Sequence, residues 1–332
     1  MKSLSRRLGV LIAVLAMVTS TSSAQDLGEQ LSKLGSQAAP KYVTPFFSGL
    51  GNSLNSAFYH SADLHSILGF DVGVKLAFAG VEDADKTFTL DMPSQISFSY
   101  LGFSRTMVRG TDYPATITSN TAVGLKAETV VKKTSAATVG NPVPLDTPLL
   151  ILPGGFDLPA IGVPMPQVAL GLPFGLEVIG RFMPTISAGD AGKFNYTGFG
   201  VRYDVDQWLP LFPIDIAVHF ATQKLNWKDA ADKDVFKATG TAYGVEASKG
   251  LLFLTVYGGF QLESSTIELA GFQGVDPSTG TTISIPGFEV EGTNKSRVTV
   301  GARLLLLFLN VHAEYSIATN PMLAAGVGIT FR

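Results

Sequence analysis

Apolar and polar residues alternate along most of the chain after residue 66, in segments of about ten residues. The last segment shows the pattern most clearly, because one face of the extended chain carries Leu323, Ala325, Val327, Ile329 and Phe331. The intervening residues are small or polar. Side chains of a strand point alternately to its two sides, so each segment predicts a strand with one apolar face.

About ten such segments follow one another, which predicts a transmembrane antiparallel β-barrel of about 10–14 strands, with 10–12 favoured. A soluble sandwich would alternate as well, but here the apolar faces are almost free of charge and the opposite faces are rich in charge and glycine. Extended stretches at 86–91 and 95–103 leave room for the higher strand numbers. The longest apolar run after residue 25 is Leu304 to Leu309, far short of the about 20 residues of a membrane helix.

The first 24 residues have the organisation of a secretory signal peptide. Lys2, Arg6 and Arg7 precede an apolar run from Leu8 to Val18, and small residues end the segment at Ala24. A retained membrane anchor is the alternative, but the run is too short to span a bilayer. We therefore expect an exported protein of the bacterial outer membrane.

Residues 25–66 are predicted to form a periplasmic or plug segment, and residues 67–332 the barrel. Leu27, Leu31 and Leu34 have helical spacing and predict one short amphipathic helix, ended by Pro40 and Pro45. With this segment in the periplasm, the long connections 81–163 and 267–294 are extracellular loops and the short turns are periplasmic. The apolar content of the segment favours a plug inside the lumen.

Composition agrees with a membrane protein that has no membrane helix. Charged residues make up 15% of the chain, against about 25% in soluble domains. The chain has no cysteine, which excludes disulfides, thiolate metal sites and thiol catalysis. The formal net charge is −3, so nothing indicates a nucleic-acid partner.

Charged residues on the inward faces are the main candidates for a functional arrangement. Enclosed charges must pair, since an isolated buried ion is costly, and we therefore expect ion pairs that close most of a narrow lumen. The predicted lumen network comprises Asp71, Lys75, Glu177, Arg181, Arg202, Asp204, Asp215, His219, Glu246, Glu263, Arg297, Arg303, His312 and Glu314.

Nothing in the sequence predicts an enzyme, a cofactor or a metal site. Phosphate-loop, zinc-protease, nucleophile-elbow and calcium-loop motifs are absent. Asp215 and His219 share a face but lie about 13 Å apart along a strand, too far for a direct hydrogen bond. For His60 and His65, beside the start of the barrel, structural hydrogen bonds are the favoured reading over metal ligation.

Aromatic residues near strand ends are predicted to mark the membrane interfaces: Trp208, Trp227 and Phe331. Ordinary packing is the alternative for the two tryptophans. The apolar segment Leu149 to Leu172 contains four prolines; it either covers the barrel mouth as a lid or packs on itself.

Several short motifs resemble an uncharacterised family of bacterial outer-membrane barrels. They are Asn52–His60 (NSLNSAFYH), Met165–Gln167 (MPQ), Gly171–Gly175 (GLPFG) and Gln207–Pro213 (QWLPLFP). More distantly, a plug before a barrel is similar to the long-chain fatty-acid transporter family, although that family's asparagine–proline plug motif is not found here. This second resemblance implies transport of hydrophobic compounds only by analogy of fold.

We therefore expect an integral outer-membrane barrel for passive uptake of small or hydrophobic solutes through a narrow or plugged lumen. A structural or adhesive barrel that presents extracellular loops without transport is the alternative. The expected partners are outer-membrane lipid, the barrel-assembly machinery through the C-terminal strand, and a hydrophobic small-molecule ligand. A lateral opening or continuous lumen would favour transport, and a filled lumen with ordered polar loops would favour the structural role.

Overall fold

The computed structural model describes residues 24–138, 140–187, 189, 192–209, 212–275 and 282–332. The predicted signal peptide, apart from Ala24, lies outside the described residues. One long helix, α1 (Ala24–Leu54), precedes the strands. The strands are β1 (Phe70–Gly80), β2 (Thr87–Asp91), β3 (Gln95–Tyr100), β4 (Phe103–Val108), β5 (Thr116–Asn120), β6 (Thr129–Lys132), β7 (Pro148–Leu152), β8 (Ala160–Leu172), β9 (Leu176–Ser187), β10 (Lys193–Asp204), β11 (Asp215–Lys228), β12 (Asp234–Leu251), β13 (Leu254–Leu269), β14 (Phe272–Val275), β15 (Thr282–Ile285), β16 (Phe288–Glu291), β17 (Ser296–Leu306), β18 (Leu309–Ile317) and β19 (Met322–Phe331).

Ten strands form a closed antiparallel barrel, as the sequence predicts. In order around the wall they are β1, β8, β9, β10, β11, β12, β13, β17, β18 and β19, with β19 paired to β1. Short turns join the strands at one end of the barrel, which we call the turn side. The long connections lie at the other end, the loop side.

The alternating pattern places apolar side chains on the outer surface and polar ones inside. Val218 and Val300 are 40% and 54% exposed, whereas Ala217 between the outward positions is fully buried. The barrel is thus the reverse of a soluble protein, as a wall that faces hydrocarbon requires.

The extended stretches between β1 and β8 form small sheets of their own and add no strand to the barrel. β2 pairs with β5, β3 with β4 and β6 with β7. The apolar segment Leu149 to Leu172 divides between β7, which packs within this connection, and β8, which belongs to the wall. The last four residues of the predicted loop 81–163 are therefore part of β8.

Helix α1 is much longer than the predicted short helix, because it continues through Pro40 and Pro45 to Leu54. A proline inside a helix costs about 3 kcal/mol, since it lacks the N–H that the preceding turn requires. Burial offsets this cost: Tyr42, Phe47 and Leu54 are completely buried, and each large apolar side chain contributes about 1.5–3 kcal/mol. The stabilisation from tertiary packing therefore outweighs the tendency of the two prolines to end the helix.

The helix approaches the barrel from the loop side. The Lys41 ammonium donates to the carbonyl of Thr89 at 3.0 Å, and the Ala122 N–H donates to the carbonyl of Tyr42 at 2.8 Å, both partners lying in the connection between β1 and β8. Since α1 lies among the long connections, a periplasmic N-terminal segment and extracellular long connections cannot both hold. The chain instead runs through the barrel from the loop side to the turn side before β1 begins.

Among the described residues, no helix combines the length and apolar character needed to cross a membrane.

Candidate functional site

The lumen of the barrel is filled by the chain itself. The C-terminal half of α1 occupies its loop-side half, and residues 55–69, which we call the lumen segment, descend through its turn-side half to β1. The lumen segment contains no helix and no strand. Its peptide groups therefore need hydrogen-bond partners outside their own backbone. The wall supplies them.

Carbonyl groups of the lumen segment accept hydrogen bonds from cationic and amide side chains of the wall. Arg181 donates to the carbonyls of Ser56 and Ala57, each at 2.8 Å, and its guanidinium lies 4.3 Å from the ring centre of Phe58. Lys75 and Gln167 both donate to the carbonyl of Phe58, at 3.2 and 3.0 Å.

Carboxylates of the wall accept from N–H groups of the same segment. The Ala57 N–H donates to Glu314 at 3.1 Å, and the His65 N–H donates to Glu177 at 3.2 Å. The imidazole of His65 also bridges two strands, with Nδ1 at 2.6 Å from Glu177 and Nε2 at 2.8 Å from Thr330. Side chains of the polar wall therefore form hydrogen bonds with the backbone of the lumen segment at several points along its length.

Two groups of ion pairs cross-link the wall behind this segment. Arg202 contacts Glu177 and Glu246, each at 2.5 Å, and all three side chains are almost completely buried. The same guanidinium donates to the carbonyl of Ser61. Nearer the loop side, Arg297 contacts Glu263 at 2.7 Å. Charge-assisted contacts of this geometry are among the strongest hydrogen bonds in proteins.

The predicted lumen network is largely inside the barrel, but its chemistry differs from the expectation. Twelve of its members are buried: Asp71, Lys75, Glu177, Arg181, Arg202, His219, Glu246, Glu263, Arg297, Arg303, His312 and Glu314. Asp204 and Asp215 are half-buried at the turn side. In the part of the chain that the structure describes, Lys75, Arg181 and Arg303 have no carboxylate within 4.0 Å. Binding the lumen segment, rather than ion pairing alone, is what these cations do.

The loop-side half of the lumen has a different wall. Its inward side chains are mainly apolar and include Ile161, Val163, Met165, Met183, Leu225 and Ile267. They enclose Phe47, Leu50 and Leu54 of α1. We call this space the apolar chamber.

Two glycines let the helix approach this wall. A Cβ at Gly49 would collide with Ile161, and a Cβ at Gly51 would collide with Ser265. These two residues lie on the helix face that touches the wall.

The wall of the apolar chamber is incomplete between β8 and β9. Six residue pairs join these strands, from Gln167 paired with Arg181 down to the turn. Beyond them, residues 160–166 of β8 and 182–187 of β9, all described, form no ladder pair with each other. By contrast β8 pairs with β1 along eleven residues. Pro164, Pro166 and Pro184 have no N–H to donate across this gap.

Helix α1 covers the gap from within. The hydroxyl of Ser53 donates to the carbonyl of Ile161 at 3.0 Å. Gln167 lies five residues above the end of β8, so the gap starts about 12 Å above the turns at the usual strand rise and tilt. Because the apolar band of such barrels is about 25 Å tall, the gap opens in its upper half.

The predicted interfacial aromatics occupy three different environments. Trp208 is 70% exposed and Phe331 is 64% exposed, both at the turn side. Trp227 lies on the inward face of β11 and stacks on Phe194 and Phe236 with ring centres 5.6 and 5.7 Å apart. A position at the membrane interface thus remains a proposal for Trp208 and Phe331, whereas Trp227 packs inside the barrel mouth.

Sequence reasoning missed the neutral members of this arrangement. Gln167, Gln223 and Gln261 are buried and donate to the carbonyls of Phe58, Leu54 and Asn55 respectively. Their inward position followed from the alternation, but a search restricted to charged residues passed over them. The stretch Asn52–His60, noticed only as a family motif, is the part of the chain that they hold.

The histidines take part in packing and hydrogen bonding. His219 lies 5.9 and 5.5 Å from the ring centres of Phe58 and Tyr59, and His60 lies 4.7 Å from His312. Within the described ranges, no group of three or more histidine, aspartate or glutamate side chains could hold a metal ion.

Known proteins resemble this chain at the level of fold. No curated protein sequence matches it. The translocator domain of the autotransporter NalP from Neisseria meningitidis is 10% identical, with a TM-score of 0.33, over 82% of this chain and 90% of that one. The Ralstonia pickettii toluene transporter TbuX is 9% identical, with a TM-score of 0.25, over 82% and 91% of the two chains.

The monoaromatic hydrocarbon channel CymD is 8% identical, with a TM-score of 0.24, over 90% of this chain and 93% of that one. A family model described as a family of unknown function (DUF6588) matches residues 1–331. The chain therefore belongs to this family, which is the resemblance that its turn and lumen motifs predicted.

Proposed function

We propose that this barrel mediates passive uptake of small hydrophobic solutes across the outer membrane, through the apolar chamber and the gap between β8 and β9. The observation that carries the proposal is this gap, which opens from an apolar space and is covered from within by a helix. Such a solute would displace or tilt the C-terminal half of α1 and leave sideways into lipid. The signal peptide, the outer-membrane location and contact of β19 with the barrel-assembly machinery are parts of the same proposal.

The filled turn-side half of the lumen argues against a water-filled route. The lumen segment is hydrogen-bonded to side chains from many strands, among them Arg181, Arg202 and Glu314. We therefore expect no steady porin-like ion conductance in planar bilayers. A hydrophilic solute would have to replace these hydrogen bonds, whereas an apolar solute needs only the space that α1 occupies.

Gap and chamber favour an apolar solute of modest size. Met165 and Met183 line the inner side of the gap and are buried, while Phe182 is 64% exposed on its outer side. Methionine is flexible and adapts to ligands of different shape. The unpaired stretches 160–166 and 182–187 contain no charged residue, which favours an apolar solute over a charged one.

A reversible staple between the helix and the wall tests the proposal. A Cβ at Gly49 would lie 3.4 Å from the Cβ of Ile161, near the about 3.5–4.5 Å of a disulfide. The double variant G49C/I161C should form this bond without competition, since the chain has no cysteine. Oxidation should reduce entry of the hydrophobic dye N-phenylnaphthylamine into intact cells to the rate of cells that lack the protein, and a reductant should restore it.

The matched control is S265C/G292C, which has the same Cβ separation of 3.4 Å but joins β13 to the connection between β16 and β17 instead of to the helix. Its oxidation should leave dye entry unchanged. Equal dye entry with the helix staple open and closed would overturn the proposed route. Equal entry in cells with and without the unmodified protein would overturn uptake altogether.

A second candidate function is presentation of the long connection between β1 and β8 at the cell surface. One observation favours it: this connection has its own apolar core, with Met92, Met107, Tyr113, Val123 and Leu152 all 1% exposed or less. A structural or adhesive barrel would depend on this connection and not on movement of α1. Replacing exposed residues of the connection would then change adhesion while the staple would not.

A further inference from the structure

Every strand junction at the turn side exposes a large apolar residue at its tip. Leu252 is 100% exposed, Leu307 91%, Phe174 85%, Leu68 74% and Trp208 70%. They belong to the turns β12–β13, β17–β18 and β8–β9, the entry to β1, and the turn β10–β11 respectively. These five residues, one at each junction around the turn side, are called the turn ring here. Exposed apolar area of this extent normally marks a binding surface.

The backbone at these tips makes the choice of residue more informative. Leu68, Phe174, Leu252 and Leu307 have φ angles of 65°, 67°, 59° and 59°. Positive φ favours glycine, which two-residue hairpin turns prefer at the first central position when only that residue has positive φ. The hairpins β12–β13 and β17–β18 both have Leu-Phe instead, within the repeated sequence Leu-Leu-Phe-Leu at 251–254 and 306–309. Bulky apolar side chains are present here despite a local conformational cost.

The height of the apolar wall points to the same conclusion. On β13 the outward apolar residues run from Leu254 to Leu262, followed by Ser264. Eight residues of strand rise about 20 Å along the barrel axis at the usual tilt. The same spacing recurs from Val298 to Leu306, from Leu309 to Ile317 and from Leu323 to Phe331. Because the apolar band of a membrane barrel is about 25 Å tall, the strands alone fall short of the bilayer core by about 5 Å.

We propose that the turn ring is a lipid-binding surface, inserted into the acyl-chain boundary of the phospholipid leaflet on the turn side. At the hairpins β12–β13 and β17–β18 the ring continues the lipid-facing band, since Leu254, Leu306 and Leu309 adjoin the tips directly. It also surrounds the barrel on all sides, which a membrane leaflet covers and a single protein partner does not. The inference does not depend on transport, because it concerns only how this end of the barrel meets the membrane.

Single cysteines offer a direct test, since the chain has none. L252C and L307C are labelled with an environment-sensitive fluorophore in phosphatidylcholine vesicles. L101C is the matched control, because Leu101 is also an exposed leucine with positive φ, 51°, at a hairpin tip but on the loop side. Labels at 252 and 307 should be quenched by nitroxide-bearing lipids and protected from aqueous iodide. The label at 101 should show the opposite pattern.

Two results would overturn the proposal. Iodide access at 252 and 307 equal to that at 101 would show that the tips project into water. Protection that disappears when the protein is diluted within the vesicles would show that a second copy, and not lipid, covers the ring.

A second variant addresses the tips without labels. L252G/F253N combined with L307G/F308N places glycine at the central position that has positive φ, so the heat-modifiable folded band should persist in detergent. Insertion into phosphatidylcholine vesicles should slow by about tenfold or more, because apolar area is lost from the membrane-facing end. Unchanged insertion by this folded variant would contradict a role for the ring in lipid binding.

Discussion

The chain fills both halves of the lumen, but the wall that it contacts is apolar in one half and polar in the other. On the loop side a helix lies against apolar residues such as Ile161 and Met165. On the turn side an irregular segment, without helix or strand, lies against arginines, carboxylates and amides. The difference follows from the backbone of the filling element. A helix satisfies most of its peptide groups internally, whereas an irregular segment must find donors and acceptors in the wall.

This comparison explains why so many charges are enclosed in a narrow barrel. Arg181 and Lys75 belong to strands of the wall, and their side chains donate hydrogen bonds to the carbonyl groups of residues 56–58. Burying a charge is costly unless it is hydrogen-bonded, and burying a bare peptide group is costly as well. Each therefore provides the partner that the other lacks. The polar wall depends on this segment as much as the segment depends on the wall.

The largest expected effect comes from replacing Arg202, which joins the polar wall to the lumen segment. Arg202→Gln leaves Glu177 and Glu246 buried without their cation, and removal of one partner of such a group costs about 3–5 kcal/mol. The midpoint of urea unfolding in vesicles should fall accordingly. The Lys228→Gln variant should keep the parent midpoint, because Lys228 and its partner Asp234 are 42% and 43% exposed. Arg303→Gln should cost less than Arg202→Gln, because Arg303 contacts Thr255 and His60 instead of a carboxylate.

Removal of the stranded carboxylates should restore part of the loss. The triple variant R202Q/E177Q/E246Q should unfold at a higher urea concentration than R202Q alone, since no unpaired charge remains. If R202Q and Lys228→Gln unfold at the same midpoint, the turn-side half does not depend on its ion pairs and the comparison fails.

The next effect concerns shape in the apolar chamber. Leu50→Ala should lower the free energy of unfolding by about 3 kcal/mol, since it leaves a cavity against the wall. Leu50→Met should cost less than about 1.5 kcal/mol, because volume is preserved. Arg202→Lys should not be tolerated in the same way, because an ammonium cannot reproduce the planar contacts of a guanidinium. Similar costs for both conservative changes would remove the distinction between the two halves.

A smaller effect is expected where the helix touches the wall. Gly51→Ala should destabilise the protein by about 1–3 kcal/mol, because the added methyl group meets the side chain of Ser265. The double variant G51A/S265G should recover most of this loss in the same unfolding experiment. No recovery would indicate that the cost of Gly51→Ala has a source other than this contact.

The smallest effect is a pH dependence of the connection between β1 and β8. Burial would raise the pKa of Asp112, but hydrogen bonds from the Ser135 hydroxyl and the Val108 N–H, with Lys133 nearby, hold it below its usual range. A depressed pKa means that the ionised carboxylate stabilises this connection at neutral pH, and that the stabilisation is lost as pH falls below about 4. Proteolysis of the connection should therefore accelerate between pH 5 and pH 3, as about these values bracket that loss.

Asp112→Asn should be cleaved faster than the parent protein at pH 7 and should show little further change on acidification. Asp91→Asn, at an exposed site, should behave like the parent. A parent protein whose cleavage rate is constant across this range would contradict a stabilising role for the Asp112 carboxylate.

The alternation of apolar and polar residues predicted which side chains of the wall strands face outward and which face inward. The outward positions of β17, β18 and β19 and the inward positions of Glu177, Arg202 and Glu314 all follow from a period of two and from the identity of the residues. The number of strands was harder, because the stretches 87–91 and 95–100 have the same local pattern as wall strands but pair in separate sheets. Pairing partners distant in sequence leave little trace in local periodicity.

The sequence by itself thus determined which residues face lipid and which face inward, because each strand records its two environments in alternate positions. Only the tertiary structure decided what fills the lumen. Helix α1 continues past two prolines because enclosure by the barrel outweighs local propensity. Residues 55–69 can remain irregular inside the lumen because the wall supplies hydrogen bonds to their backbone. Those partners lie more than a hundred residues away in most cases, as with Ala57 and Glu314, so no local pattern could reveal them.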